Sequence, residues 1–102
     1  MVSVTLRYTL MIRSFKHRGL KRLHERDDRS GIRPDLLEGV EDILGRLDQA
    51  TTPQALNLPG YGLHPLKGDL RGFWSVTVRA NWRIIFRFEG EDALDVELLD
   101  YH

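Results

Sequence analysis

The 102-residue chain has no cysteine. That absence excludes disulfides, thiolate nucleophiles and cysteine-built zinc sites together, and it is what a cytoplasmic protein would show. No run of apolar residues exceeds three, as in Ile84-Ile85-Phe86, so nothing in the sequence has the length of a membrane span. The opening "MVSVTLRYTLM" lacks both a basic start and a small-residue cleavage site, and no signal peptide is expected. Net charge is zero, so there is no global excess of base to recruit a polyanion.

The charge is nevertheless segregated. Residues 11–26 carry six Lys/Arg against one Glu, and residues 58–88 carry five against one Asp. Residues 27–57 hold seven acids against three bases, and residues 89–102 hold six acids and no base. Alternating blocks of this kind suit a solvated surface, and they also permit a basic face with acidic flanks. At this length one domain is expected, able to bury roughly two thirds of its unfolded surface without covalent staples.

The segment "PDLLEGVEDILGRLDQA" is the clearest helix. Leu36, Leu37, Val40, Ile43, Leu44 and Leu47 make one apolar stripe opposite Glu38, Glu41, Asp42 and Arg46, with Pro34 in the first turn. A weaker, basic helix is predicted over "FKHRGLKRLHERD", with Phe15, Leu20 and Leu23 inward and "DDRSG" ending it. Residues 51–72 contain three of the four prolines and four of the nine glycines, and read as a long loop broken by one helical turn after Thr52 and Pro53. From Phe73 on, the period becomes two: Trp74, Val76, Val78; Trp82, Ile84, Phe86, Phe88; Leu94, Val96, Leu98.

All ten of these residues are even-numbered, which predicts register. A shared apolar face needs even pair sums. Val78 should then face Trp82 across a three-residue loop of Arg79, Ala80 and Asn81, a two-residue loop being excluded. Phe88 should pair with Leu94, Ile84 with Leu98 and Trp82 with Asp100. The odd-numbered face would place Arg87 against Asp95 as an ion pair. It would leave Arg83 between Thr77 and Leu99 with no carboxylate, a cation open to an external anion.

Residues with base, acid and cation chemistry recur in "LHPLKG", "VRANWRIIF" and the ending "LLDYH". The blocks "MIRSFKHRGL" (11–20), "LHPLKGDLRGFWSVTVRANWRIIF" (63–86) and the final "DYH" resemble the HigB-like killer toxins of the RelE superfamily, over about residues 11–102. The resemblance implies an α+β, RelE-like microbial-ribonuclease fold, with two N-terminal helices packed on a small, mainly antiparallel sheet. It also implies the toxin of a type II toxin–antitoxin pair, a ribosome-dependent endoribonuclease that cleaves mRNA and needs neither metal nor cofactor. The implied partners are a HigA-like helix-turn-helix antitoxin, the ribosome and mRNA, with DNA reached only through the antitoxin complex and no membrane contact.

By position, the implied catalytic residues are His64, Lys67, Arg83, Asp100, Tyr101 and His102. The basic blocks add Arg79 and the helical Arg18, Lys21 and Arg22 as RNA contacts. Gly62 departs from the family, where a basic residue often precedes "LH". An RNA 2′-hydroxyl is a built-in nucleophile that needs a base, a cation for charge developing at phosphorus and an acid for the leaving oxygen. His64 and His102 can move the protons, without the sequence dividing base from acid between them. Arg83 and Lys67 can clamp the phosphate, Tyr101 can meet a base, and Asp100 can orient His102. Two rivals share these residues: a metal hydrolase built on His64, His102 and Asp100, which lacks a helical histidine pair, and a non-catalytic module binding RNA or protein. Residues 1–10 read as an N-terminal extension, either an alternating edge strand or a start placed too early, with residues 11–102 as the domain.

Overall fold

The computed structural model describes residues 12–100. The expected extension over residues 1–10, and Tyr101 and His102, lie outside them. Within the described residues, two helices precede four antiparallel strands: α1 (Arg18–Arg26), α2 (Leu37–Gln49), β1 (His64–Pro65), β2 (Trp74–Arg79), β3 (Trp82–Glu89) and β4 (Asp92–Asp100). The strands lie in chain order, β1-β2-β3-β4. No helix among the described residues is long and apolar enough to cross a membrane.

Helix α1 starts at Arg18 rather than Phe15 because the preceding backbone is committed elsewhere. Ile12 and Phe15 form parallel bridges to Ala93 and Val96, with Arg13 N donating to Ala93 O at 2.7 Å and Lys16 N to Val96 O at 2.8 Å. His17 then caps the helix, its Nδ1 accepting from Leu20 N at 3.1 Å. At the other end Asp27 adopts φ 56° and returns its N–H to the last turn, as a left-handed C-cap does. Leu20 and Leu23 are buried as expected.

Helix α2 follows a 3-10 turn at Pro34–Leu36. It buries Val40, Ile43, Leu44 and Leu47. Gly39 lets it press on β2, since a Cβ there would come 3.1 Å from Val78 Cγ1. The expected turn after Thr52 is a 3-10 turn at Pro53–Leu56. The rest of the long loop contributes a second 3-10 turn, Gly68–Leu70, and the two residues of β1.

The sheet register holds in the strand centres and breaks at both hairpins. Trp74 pairs with Phe86, Val76 with Ile84 and Thr77 with Arg83 as expected, but Arg79 pairs with Trp82. The irregularity between Thr77 and Arg79 takes up Val78 and leaves a two-residue turn, Ala80-Asn81, with Ala80 at φ 52°. The excluded two-residue loop is therefore present, because a bulge absorbs the odd residue that parity forbids.

The next hairpin repeats the device. Trp82 faces Asp100 and Ile84 faces Leu98, yet Phe88 pairs with Ala93, not Leu94. The extra residue is accommodated around Asp95, at φ 53°. Ala93 thereby enters the main core with Val76, Ile84, Phe86, Val96 and Leu98, while Leu94 is buried outside that cluster.

Candidate functional site

Because the main core occupies the even-numbered face of the sheet, the odd-numbered face carries the polar chemistry. On it, His64 of β1 pairs with Ser75, which pairs with Ile85, which pairs with Glu97. The neighbouring row holds Thr77, Arg83 and Leu99. Strand spacing puts the Cα atoms of His64 and Arg83 about 12 Å apart, two strands across and two residues along.

His64 is exposed, and its Nδ1 lies 2.9 Å from Gly62 O. A carbonyl only accepts, so Nδ1 is the donor in this contact, and Nε2 is the ring nitrogen it leaves available. Gly62 holds this carbonyl at φ 59°. The departure from a basic residue at 62 thus coincides with a backbone conformation that glycine adopts without strain.

Arg83 donates from Nη1 to Ala80 O at 2.8 Å and less closely to Trp82 O at 3.4 Å. Among the described residues it has no carboxylate in ion-pair range. The turn carbonyls orient the guanidinium without neutralising it. Arg87 behaves oppositely, with Nε 2.7 Å from Asp95 Oδ2. That hydrogen bond, more than any other contact, holds the Asp95 carboxyl below its ordinary range. Ser14 Oγ ties the same aspartate to the edge segment, accepting from Asp95 N at 2.9 Å.

The remaining expected residues disperse. Lys67 is exposed where β1 gives way to the second 3-10 turn. Asp100 pairs with Trp82, on the face opposite His64 and Arg83, and lines a hollow with Arg33, Asp35, Arg79 and Asn81. It therefore does not face the "LHPLKG" loop. Arg79 points toward Asp35, Nε to Oδ2 4.0 Å. Arg18, Lys21 and Arg22 do gather, around a surface hollow on α1 that includes Glu25 and Arg26. Lys21 and Arg22 are each engaged by an acid there, Glu25 at 3.6 Å and Asp28 at 3.5 Å. Tyr101 and His102 fall outside the described residues. Among those residues no group of three His, Asp or Glu could hold a metal ion.

Sequence reasoning missed two features. His24 and Asp48 join the helices through a partly buried pair, Nε2 lying 2.9 and 3.0 Å from the two carboxylate oxygens. Among the described residues His24 Nδ1 is buried without a hydrogen-bond partner. The two residues are 24 apart in the chain, and no local pattern announces the pairing. The second feature is on the odd face, where Phe73 lies under the ammonium of Lys16, Nζ to ring centroid 5.5 Å. An aromatic just ahead of a strand whose apolar residues are all even-numbered was the available signal.

The profile of the family described as "RelE-like toxin of type II toxin-antitoxin system HigB" matches residues 13–102. The chain is 50% identical over 92 residues to "Endoribonuclease HigB" of Proteus vulgaris, an alignment spanning 90% of this chain and all of that protein. Among solved structures, it is similar to "YoeB/ParE toxin from Agrobacterium tumefaciens", with 22% identity, coverage of 81% and 85% of the two chains, and a TM-score of 0.41. That last likeness is too loose to carry an argument.

Proposed function

Because this chain belongs to the HigB-like toxins of type II toxin–antitoxin systems, we propose that it is an endoribonuclease that cuts mRNA on the translating ribosome by attack of the RNA's own 2′-hydroxyl. As a type II toxin it has an antitoxin partner. We assign that partner to the HigA-like helix-turn-helix class, with DNA contacted only through the complex, and place the pair in the cytoplasm.

A base removes the 2′-hydroxyl proton, the 2′-oxygen bonds to phosphorus, and the bond from phosphorus to the 5′-oxygen breaks. The departing oxygen takes a proton from an acid, leaving a 2′,3′-cyclic phosphate and a 5′-hydroxyl. His64, with Nε2 as its available ring nitrogen, serves as one proton-transfer group, and His102 as the other. Arg83 stabilises the charge developing on the phosphoryl oxygens, joined by Lys67. Asp100, on the sheet face opposite His64 and Arg83, does not touch the phosphate and acts only by orienting His102; Tyr101 contacts a base. Arg18, Lys21, Arg22 and Arg79 act outside the centre, on the RNA backbone.

The observation that carries this reading is the guanidinium of Arg83, held by turn carbonyls and without a carboxylate among the described residues, on the face that presents His64. The test is a defined mRNA on translating ribosomes, with and without a single 2′-deoxy substitution at the cut nucleotide. Cleavage should leave a 2′,3′-cyclic end, and the substitution should abolish it. Persistent cleavage of the 2′-deoxy message, or a 3′-hydroxyl product, would refute the mechanism. Binding without scission would leave only the RNA-binding module.

A further inference from the structure

The odd-numbered face does not end at His64, although Ser75 and Ile85 at its centre are buried. Along β2 and β3, successive rows of the odd-numbered face carry Arg83 with Thr77, then Ile85 with Ser75, then Arg87. Phe73 directly precedes β2 on the same alternation. Its backbone is fixed on both sides: Phe73 N donates to Leu70 O at 3.0 Å, and its carbonyl accepts from Leu66 N at 2.9 Å. The ring is half-buried, yet unlike Phe15, Trp74, Trp82 and Phe88 it does not pack against the main core.

Lys16 arrives from the far edge of the sheet. Its backbone N–H is committed to Val96 O, and its exposed side chain brings the ammonium over the Phe73 ring. Its charge is not required to neutralise Asp95, which Arg87 already holds at 2.7 Å. A preorganised aromatic face with a cation above it, about 13 Å along the strands from the Arg83 row, has the chemistry that single-stranded RNA uses: a surface for a base and a charge for the adjoining phosphate.

We propose that Phe73 and Lys16 form a nucleobase-stacking subsite for the mRNA strand, flanking the cleavage centre at the end of the odd-numbered face away from Arg83. This rests on the reading of the Arg83–His64 face as the cleavage face. The RNA strand crosses the face in the order cation, imidazole, aromatic ring. Lys16 gives up its own contact with the ring for the phosphate as the base enters. A stacked base tolerates any sequence, since every base has a π-face, so the subsite sets the grip on the strand and not the codon.

The test uses the full chain and the uncleavable 2′-deoxy mRNA on translating ribosomes, with 5-iodouridine placed at successive nucleotides around the cut. Photocrosslinks should map to the peptide containing Phe73 from one or two adjacent positions only. In parallel, on cleavable mRNA, Phe73→Leu should raise KM about 10-fold with kcat and thermal unfolding unchanged, Phe73→Tyr should restore KM, and Lys16→Met should flatten the salt dependence of KM. Crosslinks elsewhere on the protein but none at Phe73, with KM unchanged in Phe73→Leu, would overturn the subsite and leave the cleavage face intact. A loss that tracks a fall in unfolding temperature and is not rescued by tyrosine would make the ring a structural cover and would also overturn it. Crosslinks to no residue of the protein from any position would remove the cleavage-face reading itself.

Discussion

Arg83 and Arg87 are four residues apart on one strand and one face, yet their partners predict opposite consequences for replacement by alanine. Arg87 Nε sits 2.7 Å from Asp95, with the two side chains 38% and 29% exposed. Partial exposure and screening limit such a pair to about 0.5–1 kcal/mol. For a domain of this size that is a fall of about 3–6 °C in unfolding temperature. Among the described residues Arg83 donates only to carbonyls of its own hairpin, at 2.8 and 3.4 Å, and water can replace it there. Arg83→Ala should therefore change stability by no more than about 0.5 kcal/mol. Its cation has no competing carboxylate among the described residues, and removing a preorganised stabiliser of transition-state charge costs about 10²- to 10³-fold in rate. Single-turnover cleavage on translating ribosomes, measured beside thermal unfolding, should show Arg83→Ala slow and stable, and Arg87→Ala active and less stable. Equal loss of cleavage in both variants at equal stability would refute the distinction drawn from their partners.

Three other contacts carry expected outcomes of their own. Asp48→Ala strands His24 Nε2 in a site where Nδ1 already lacks a partner, with the two side chains 8% and 15% exposed; it should cost about 1–3 kcal/mol by denaturant unfolding, and Asp48→Asn, which keeps an acceptor, should cost less. The Arg87 hydrogen bond lowers the Asp95 pKa below 3.8, so its stabilisation is complete above that value and lost as pH falls through the lower folded one. Asp95→Asn should accordingly flatten the acid limb of the stability profile below about pH 4, and an unchanged limb would rule the pair out as its source. Burial, and then donation of its hydroxyl to Asp42, push Tyr61 up from 10.0 to about 12. That contribution is present below pH 10 and lost as pH rises through about 12, so Tyr61→Phe should remove the late step from an ultraviolet titration.

Periodicity alone determined helix α2 and the apolar face shared by β2, β3 and β4. The stripe from Leu36 to Leu47 has to be buried on one side, and the even-numbered apolar residues from Trp74 to Leu98 have to share a sheet face, since a strand's side chains alternate whatever they pair with. The central register, with Ile84 facing Leu98, Trp82 facing Asp100 and Arg83 between Thr77 and Leu99, was legible for the same reason. Only the tertiary structure decided the exceptions. Bulges gave both hairpins two-residue turns and moved Leu94 out of the main core, because one locally strained residue such as Asp95 can offset the parity of a whole strand. Pairing of residues 12–16 with β4 delayed α1 past Phe15, because a backbone N–H serves one ladder or the other. The His24–Asp48 pair and the Lys16–Phe73 contact join residues 24 and 57 positions apart. No local pattern encodes them, since they exist only where packing brings distant faces together.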